Sequence, residues 1–356
     1  MNIKKLAIVI APNWRDYAEK YLEDCLASVR TQDWSGEYKI FLFDNESTPE
    51  TVDFIKKVGP EIELGINKNN DGFCKGNNDA IKAALDQGFE YIVLLNMDTQ
   101  VTPNWLSELV AAAQRSENWG AVQSRLMLHP EKDKVNSLGN KLHFLGFGFS
   151  AGDGVNWSEL ERQTVDLAPI TYFSGASVIL RKDVLDKVGL FDEKFWMYHD
   201  DLELSLRIRL AGYNIYLAKD SVVYHKYKFA KSIKQYYWME RNRFISLLIL
   251  YRLPTLLLIL PMLMVMEFGL LLYAIKNGFV KEKLRVYAWL INPMHWDYLT
   301  ERRRRIKKIR CLKDRDLAPL LASKIEFQQV DNLLLRYIGN PLMTVYWKIV
   351  KIIIIW

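Results

Sequence analysis

Four short stretches and one histidine carry residue types that could do chemistry. "YIVLLNMDTQVTPNWL" (residues 91–106) runs an apolar strand into Asn96-Met97-Asp98 and then breaks at a proline. A carboxylate at the tip of a buried strand is a hard oxygen ligand for Mg2+ or Mn2+, and an ion held by few protein ligands spends its other positions on substrate phosphates. The same Asn-x-Asp is also ordinary turn chemistry, as is Asp44-Asn45-Glu46-Ser47. "NDGFCKGNNDAI" (70–81) sets Gly72 and Gly76 around Lys75, with Asn77 and Asn78 where a helix should open. Glycines allow close backbone approach and a helix N-terminus offers N–H groups to an anion, but a tight strand-to-helix turn explains the stretch equally well. "FWMYHDDLELSLR" (195–207) places Asp200 and Asp201 after an aromatic run. Adjacent carboxylates beside Trp196 and Tyr198 could supply a general base whose pKa burial raises toward neutrality, while Glu203 and Arg207 read as a structural i,i+4 pair. His225 stands alone in sequence and by default is a core or surface histidine.

The elements that must position these residues alternate. Strand-like runs at 6–10, 38–43, 61–66 and 91–95 are separated by helical segments at 17–30, 49–58 and 78–87, the pattern of a mostly parallel, doubly wound α/β sheet. In such sheets ligands sit at the carboxyl ends of the strands. Pro12-Asn13-Trp14, Asp44-Asn45 and Asn96-Met97-Asp98 each follow a strand, so they should converge on one edge. Beyond them a strand is expected near 171–180, an acidic helix at 200–210 and a strand near 214–217.

Composition sets the outer bounds. The 356 residues are 50% hydrophobic and 25% charged, a globular mixture, and three well-separated cysteines make neither a disulfide framework nor a zinc cluster. "MNIKKLAIVIAPNW" reads as a first strand and not as a signal peptide. The net charge of +6 is unevenly spread: nine Lys or Arg fall between Arg302 and Arg315. From Phe244 to Ile275 only Arg252 and Glu267 are charged, so residues 1–228 are expected to form the catalytic domain and 229–356 a helical, apolar and basic region.

Taken in order, "DGFCKGNNDAI", "YIVLLNMDTQVTPNWL", "FSGASVILRKDVLDKVGLFDEKFWMYHDDLELSLRIRLAGY" and "YYWMERNRF" resemble the family 2 inverting glycosyltransferases of the GT-A fold, in their rhamnosyltransferase-like and galactofuranosyltransferase-like branch. The resemblance spans roughly residues 5–245. It implies a nucleotide-sugar donor, with a dTDP- or UDP-sugar favoured, and Mn2+ or Mg2+ as cofactor. It implies donor contacts from Pro12, Asn13, Asp44, Asn45, Gly72, Phe73, Lys75, Asn77, Asn96 and Asp98, with Asp44 on the base. Asp98, Asn96 and His225 would hold the metal. Asp201 would be the general base with Asp200 beside it, and Trp196 and Gly175 would line the acceptor side. Asn96 departs from the family's usual aspartate, and Lys75 stands where a small residue is common. The rival readings are a nucleotidyltransferase, which would want a glycine- and basic-rich loop after the first strand, and a non-catalytic scaffold.

The implied acceptor is a glycan or lipid-linked glycan, with no nucleic acid partner and self-association left open. A single span through 253–275 would put the basic cluster opposite a cytosolic catalytic domain, against the positive-inside tendency. The expectation is therefore a segment lying in the cytoplasmic interface against anionic lipid, with Trp289, Trp296 and Trp347 as anchors. The alternative is a buried interdomain or dimer-forming helix.

Overall fold

The computed structural model describes residues 2–227, 236–326 and 333–356. They form two compact units, one of residues 2–140, 150–209 and 213–227, the other of 141–149, 210–212 and the described residues from 236 onward.

The first unit is built on a twisted sheet. Its strands are β1 (Lys5–Asn13), β2 (Glu37–Asn45), β3 (Glu63–Asn67), β4 (Tyr91–Leu95), β5 (Thr99–Val101), β6 (Trp119–Leu128), β7 (Val135–Ser137), β10 (Ala168–Pro169), β11 (Ser177–Arg181) and β12 (Asn214–His225). Two further strands, β8 (Asn140–His143) and β9 (Gly148–Ser150), belong to a small sheet with β13 (Leu321–Ala322). The main order is β10-β12-β6-β11-β4-β1-β2-β3, with β5 on β12 and β7 on β6. β1 pairs in parallel with both β2 and β4. The chain therefore winds outward from β1 to β3, then crosses to its other side, and that reversal opens a ligand crevice at the strands' carboxyl ends. β11 runs antiparallel between β4 and β6.

Continuous apolar runs suit strands covered on both faces: Leu6 to Ile10 in β1 and Ile92 to Leu95 in β4 are all buried. α1 (Tyr17–Val29) packs through Ala18, Leu22, Cys25, Leu26 and Val29, at helical spacing. α2 (Pro49–Val58) starts on Thr48, whose side chain accepts from Thr51 N, with proline at its first position. α3 is Gly72–Asp86 and α4 Trp105–Arg115. The short α5 (Trp157–Leu160) and α6 (Lys182–Val188) precede α7 (Asp200–Leu210), which has three acids in its first turn and two arginines in its last, as the helix dipole favours.

Three expected boundaries shift. The helix expected from residue 78 begins at Gly72, so Asn77 and Asn78 lie inside it, both buried. The strand expected over 171–180 is confined to Ser177–Arg181, because Ser174 N turns to the Gln123 side chain (2.7 Å) instead of a strand neighbour. The strand expected at 214–217 continues to His225 through a bulge between Ala218 and Val222, which keeps it paired along β6.

In the second unit, α8 (Tyr236–Leu250), α9 (Leu253–Lys276), α10 (Val280–Ile291), α11 (Trp296–Ile309) and α12 (Asn340–Ile353) pack together. Four buried charges explain why Glu267 interrupts an apolar helix. Arg243 bridges Glu240 (3.0 Å) and Glu267, and Lys283 bridges Glu267 (2.7 Å) and Glu240. Two cations and two carboxylates cancel, and Tyr287 adds a hydrogen bond to Glu267 (3.0 Å). The opposite face of α9 is open: Leu253, Leu257, Leu260, Met264, Phe268, Leu272 and Ile275 are all exposed at three- and four-residue spacing. α12 repeats this, burying Met343, Trp347 and Val350 while exposing Leu342, Val345, Ile349 and Ile352.

The basic cluster is not uniform. Arg303 donates to the Leu248 carbonyl and Arg310 to that of Leu250, capping α8, while Arg310 also pairs with buried Asp314 (2.6 Å). Arg304, Arg305, Lys307 and Lys308 remain exposed. Trp347 corrects an expectation: it is 1% exposed and stacked on Phe144 (4.7 Å), so it is core and not an interfacial anchor. Trp296 is 54% exposed, its indole N–H held by Leu290 O (3.1 Å).

Candidate active site

At the carboxyl ends of β1 and β2 the polar residues knit to each other. Asn13 Nδ2 donates to Asp44 Oδ1 (2.6 Å) and Ser47 Oγ (2.7 Å), and its Oδ1 accepts from Ala18 N (2.7 Å) at the start of α1. The second Asp44 oxygen accepts from Ser47 N (3.0 Å), so this fully buried carboxylate is engaged on both sides. Asn45 donates to Gly72 O (3.1 Å) and accepts from Asn67 (3.0 Å), tying β2 and β3 to the head of α3. Lys75 pairs with Asp79 one turn on (2.7 Å).

The two glycines of α3 are used for close packing. A Cβ on Gly76 would lie 2.5 Å from Cβ of Pro12, and one on Gly72, whose φ is +89°, would lie 2.4 Å from the Trp196 ring. Cys74 N donates to Trp196 O (3.2 Å), and Asn77 Nδ2 to Phe73 O (2.9 Å). Trp196, Tyr198 and His199 all have positive φ, near 60°, although none is glycine. Such backbone is held against its preference by its surroundings, and here it lies directly before Asp200.

Beyond β4, Asp98 is buried with His225 Nε2 at 3.3 Å from its Oδ1. β12 reaches that point because it pairs with β5, setting His225 opposite Thr99. His225 Nδ1 lies 2.9 Å from Asn136 Oδ1. An amide oxygen only accepts, so Nδ1 carries a hydrogen, and Nε2 is the ring nitrogen turned to the carboxylate. Asn96 Oδ1, two residues before Asp98, is buried with no hydrogen-bond partner among the described residues. The hydroxyl of Tyr17, pushed up first by burial and then by the Asp98 charge, stays protonated and hydrogen-bonds Asp98. The Asp98 carboxylate and the His225 imidazole lie together, with the Asn96 amide oxygen two residues away along the chain, and these are donor types that Mn2+ or Mg2+ can take. Asn136 holds the ring through Nδ1, as hydrogen-bond partners of ligating histidines do at metal sites.

The acid pair sits at the head of α7. Asp200 is buried, and burial first, then the Asp201 charge, push its carboxyl well above the usual range. Asp201 is partly exposed and burial raises it to about 6, opposed by hydrogen bonds from the backbone N–H groups of Leu202 and Gly175. A carboxylate raised to that value and open on one side can take a proton near neutral pH. Glu203 and Arg207 are structural: buried Arg207 holds both Glu203 oxygens at 2.7 Å and donates to the carbonyls of Val188, Gly189 and Leu190.

The strand-end polar residues and the acid pair occupy this one unit. The profile of Glycosyl transferase family 2 matches residues 8–189, just over half of the chain. The chain belongs to glycosyl transferase family 2. This family 2 chain is 26% identical over 204 residues to the N-acetylglucosaminyl-diphospho-decaprenol L-rhamnosyltransferase of Mycobacterium tuberculosis, covering 52% of the chain and 66% of that protein. It is 30% identical over 218 residues to the O-antigen biosynthesis protein RfbC of Myxococcus xanthus, covering 58% of the chain and 16% of that protein. The chain thus spans less than two thirds of these relatives' length. Its fold is shared with S. aureus TarS 1-349, solved in complex with UDP, at a TM-score of 0.50 and 16% identity over 98% of this chain and 90% of that one. The GT-A expectation for the fold therefore holds.

Three neighbours of the site had no signal in sequence. Tyr17 lies inside α1, Asn136 in the short β7, and Tyr172 in the approach to β11, and only the folded chain brings them to Asp98, His225 and Asp201.

Proposed function

We propose that this family 2 chain is an inverting glycosyltransferase, moving a sugar from a dTDP- or UDP-sugar to a hydroxyl of a lipid-linked glycan in cell-surface polysaccharide or glycolipid assembly. Rhamnose is the favoured sugar, from the likeness to the mycobacterial rhamnosyltransferase. One observation carries the reading. Asn96 N donates to Ala176 O (2.9 Å), and the N–H of the adjacent Gly175 bonds Asp201, so the metal-type donors and the raised carboxylate share one corner.

Asp98, His225 and Asn96 would hold Mn2+ or Mg2+, which when bound supplies Lewis-acid neutralisation of the departing diphosphate. Asn13, Asp44 and Asn45 shape the nucleotide end, and Gly72, Phe73, Lys75 and Asn77 the start of α3 beside it. Asp201, ionised above about pH 6, takes the proton from the acceptor hydroxyl. Attack on the face opposite the leaving group inverts the anomeric carbon in one step, so no enzyme nucleophile is needed. The buried thiols agree: burial pushes Cys25 up to about 12 and Cys74 well above its ordinary value. Trp196 and Gly175 flank the acceptor side.

The exposed apolar faces of α9 and α12 are read as lying in the cytoplasmic interface of the membrane, where a nucleotide sugar and a lipid-linked acceptor meet. α9 has the length and composition to cross a bilayer, but Glu267 ties its other face into the charge network with α8 and α10. A panel of nucleotide sugars with Mn2+ and a lipid-linked glycan acceptor, read by nucleoside diphosphate release and product anomeric configuration by NMR, tests the reading. Release from no donor, or retained configuration, would overturn it.

A further inference from the structure

A concavity of about 430 Å³ lies away from the acid pair, in the same unit, lined by Arg125, Lys132, Asp133, Asn156, Trp157 and Tyr224 among others. Two of its cations lie on aromatic faces: the Arg125 guanidinium is 3.8 Å from the Trp157 ring centre and the Lys132 ammonium 4.8 Å from that of Tyr224. Neither side chain forms a hydrogen bond or ion pair with any described residue, and Arg125 Nε is buried with no acceptor. Burial holds the Arg125 pKa down, with Asp220 and Glu161 acting on it only through space. Among the lining residues one carboxylate, Asp133, stands against the two cations Arg125 and Lys132.

Strand parity places the concavity. Ser124 points to Trp105 on α4 (3.1 Å), so Gln123 and Arg125 face the other side of the sheet. Gln123 accepts from Ser174 N, one residue before the Gly175 that holds Asp201, and Arg125 lies about 7 Å further along β6. β7 links the two regions: Val135 joins the small core with Met127 and Val222 beneath the concavity, while the next residue, Asn136, holds His225.

We infer that this concavity is a subsite for an anionic sugar unit of the acceptor, its carboxylate or phosphate taken by Arg125 and Lys132 and its ring set among Trp157, Tyr224 and Asn156. The volume is in the range of small-ligand sites. Arginine stacked on an aromatic ring keeps its planar fork for an oxyanion while excluding water from one face. The inference rests on the transferase reading for the identity of the acceptor, and an oligosaccharide reaching Asp201 along β6 would pass it.

The test fills the nucleotide site with UDP and Mn2+, then measures binding of glucuronate, glucose 1-phosphate, glucose and inorganic phosphate by titration and saturation-transfer NMR. Glucuronate separates a carboxylate on the glycan from a phosphate at its carrier end, represented by glucose 1-phosphate. One or both should bind, with glucose at least tenfold weaker. Arg125→Gln should weaken the anionic sugar tenfold or more and the exposed Lys132→Gln about fivefold, with UDP affinity unchanged. No anionic sugar binding to wild type, equal binding of glucose, equal binding of inorganic phosphate, or insensitivity to both substitutions would each overturn the inference. UDP affinity is read separately: its absence in wild type counts against the transferase reading, while the Arg125 dependence still decides this one.

Discussion

Replacing Asp201 by asparagine isolates one proton-accepting oxygen while keeping an acceptor for the Leu202 N–H (2.7 Å). Burial lifts its pKa from 3.8 to about 6. That difference amounts to about 3 kcal/mol between the two protonation states, large enough to move the working range of a base by two pH units. With the carboxylate as base, kcat/KM should rise with unit slope and level off above about pH 6. At pH 5 it should be roughly a tenth of the plateau, whereas a carboxylate of ordinary pKa would retain over about nine-tenths. Asp201→Asn should fold, bind UDP as wild type does, and lose about a hundredfold or more in kcat on the plateau above about pH 7, the deficit narrowing as wild type protonates below about pH 6. Asp200 supplies the internal control. Burial and the Asp201 charge push its carboxyl well above the usual range, favouring the protonated form, and an amide mimics that form. Asp200→Asn should leave the inflection in place. It should also stabilise the fold, by linkage: a carboxyl raised in the folded state contributes its stability below its unfolded pKa and loses it as pH rises through the folded value. The gain in Tm over wild type should therefore grow from pH 4 upward. The assay is nucleoside diphosphate release across pH 4.5–8.5, with melting curves alongside. A profile flat down to pH 4.5, or loss of turnover in Asp200→Asn with Asp201→Asn active, would refute the assignment.

Asp98→Ala should abolish Mn2+-dependent UDP binding in calorimetry, His225→Ala should weaken it strongly and Asn96→Ala least, and equal affinity in wild type and Asp98→Ala would remove the metal role. Arg207→Met strands buried Glu203 and three carbonyls, so urea unfolding should show a loss of about 3–5 kcal/mol. Lys283→Met leaves two buried carboxylates with one cation and should destabilise the second unit by about the same amount, a loss that Lys283→Met with Glu240→Gln should partly restore. Changing Arg304, Arg305, Lys307 and Lys308 to glutamine should weaken flotation with phosphatidylglycerol vesicles, about 1 kcal/mol per charge at the surface, and leave neutral vesicles unaffected; Arg303 is left alone because it caps α8.

The sheet and its ligand edge were readable from the chain because apolar runs of strand length, alternating with helical spacing, admit few other packings. The same pattern placed Asp44, Asn96 and Asp98 at strand ends, and Asp200 and Asp201 on the first turn of a helix, since each position depends on local periodicity alone. Sequence left Glu267 ambiguous, because an acid in an apolar helix reads alike whether it faces lipid, solvent or partners; Arg243 and Lys283, 24 and 16 residues away, decide it. It also set Trp347 among the surface aromatics, when the ring lies against Phe144, some two hundred residues earlier. Asp201 was nominated by its neighbour in sequence, yet its elevated pKa comes from burial, with the N–H of Gly175, which the β11 approach delivers, holding the rise in check. Likewise His225 was an isolated residue until the β12 bulge and the β5 pairing set its ring against Asp98 and Asn136. Local spacing determines which residues can reach an edge; contacts between distant segments determine their charge, tautomer and exposure, and only the folded chain makes those contacts.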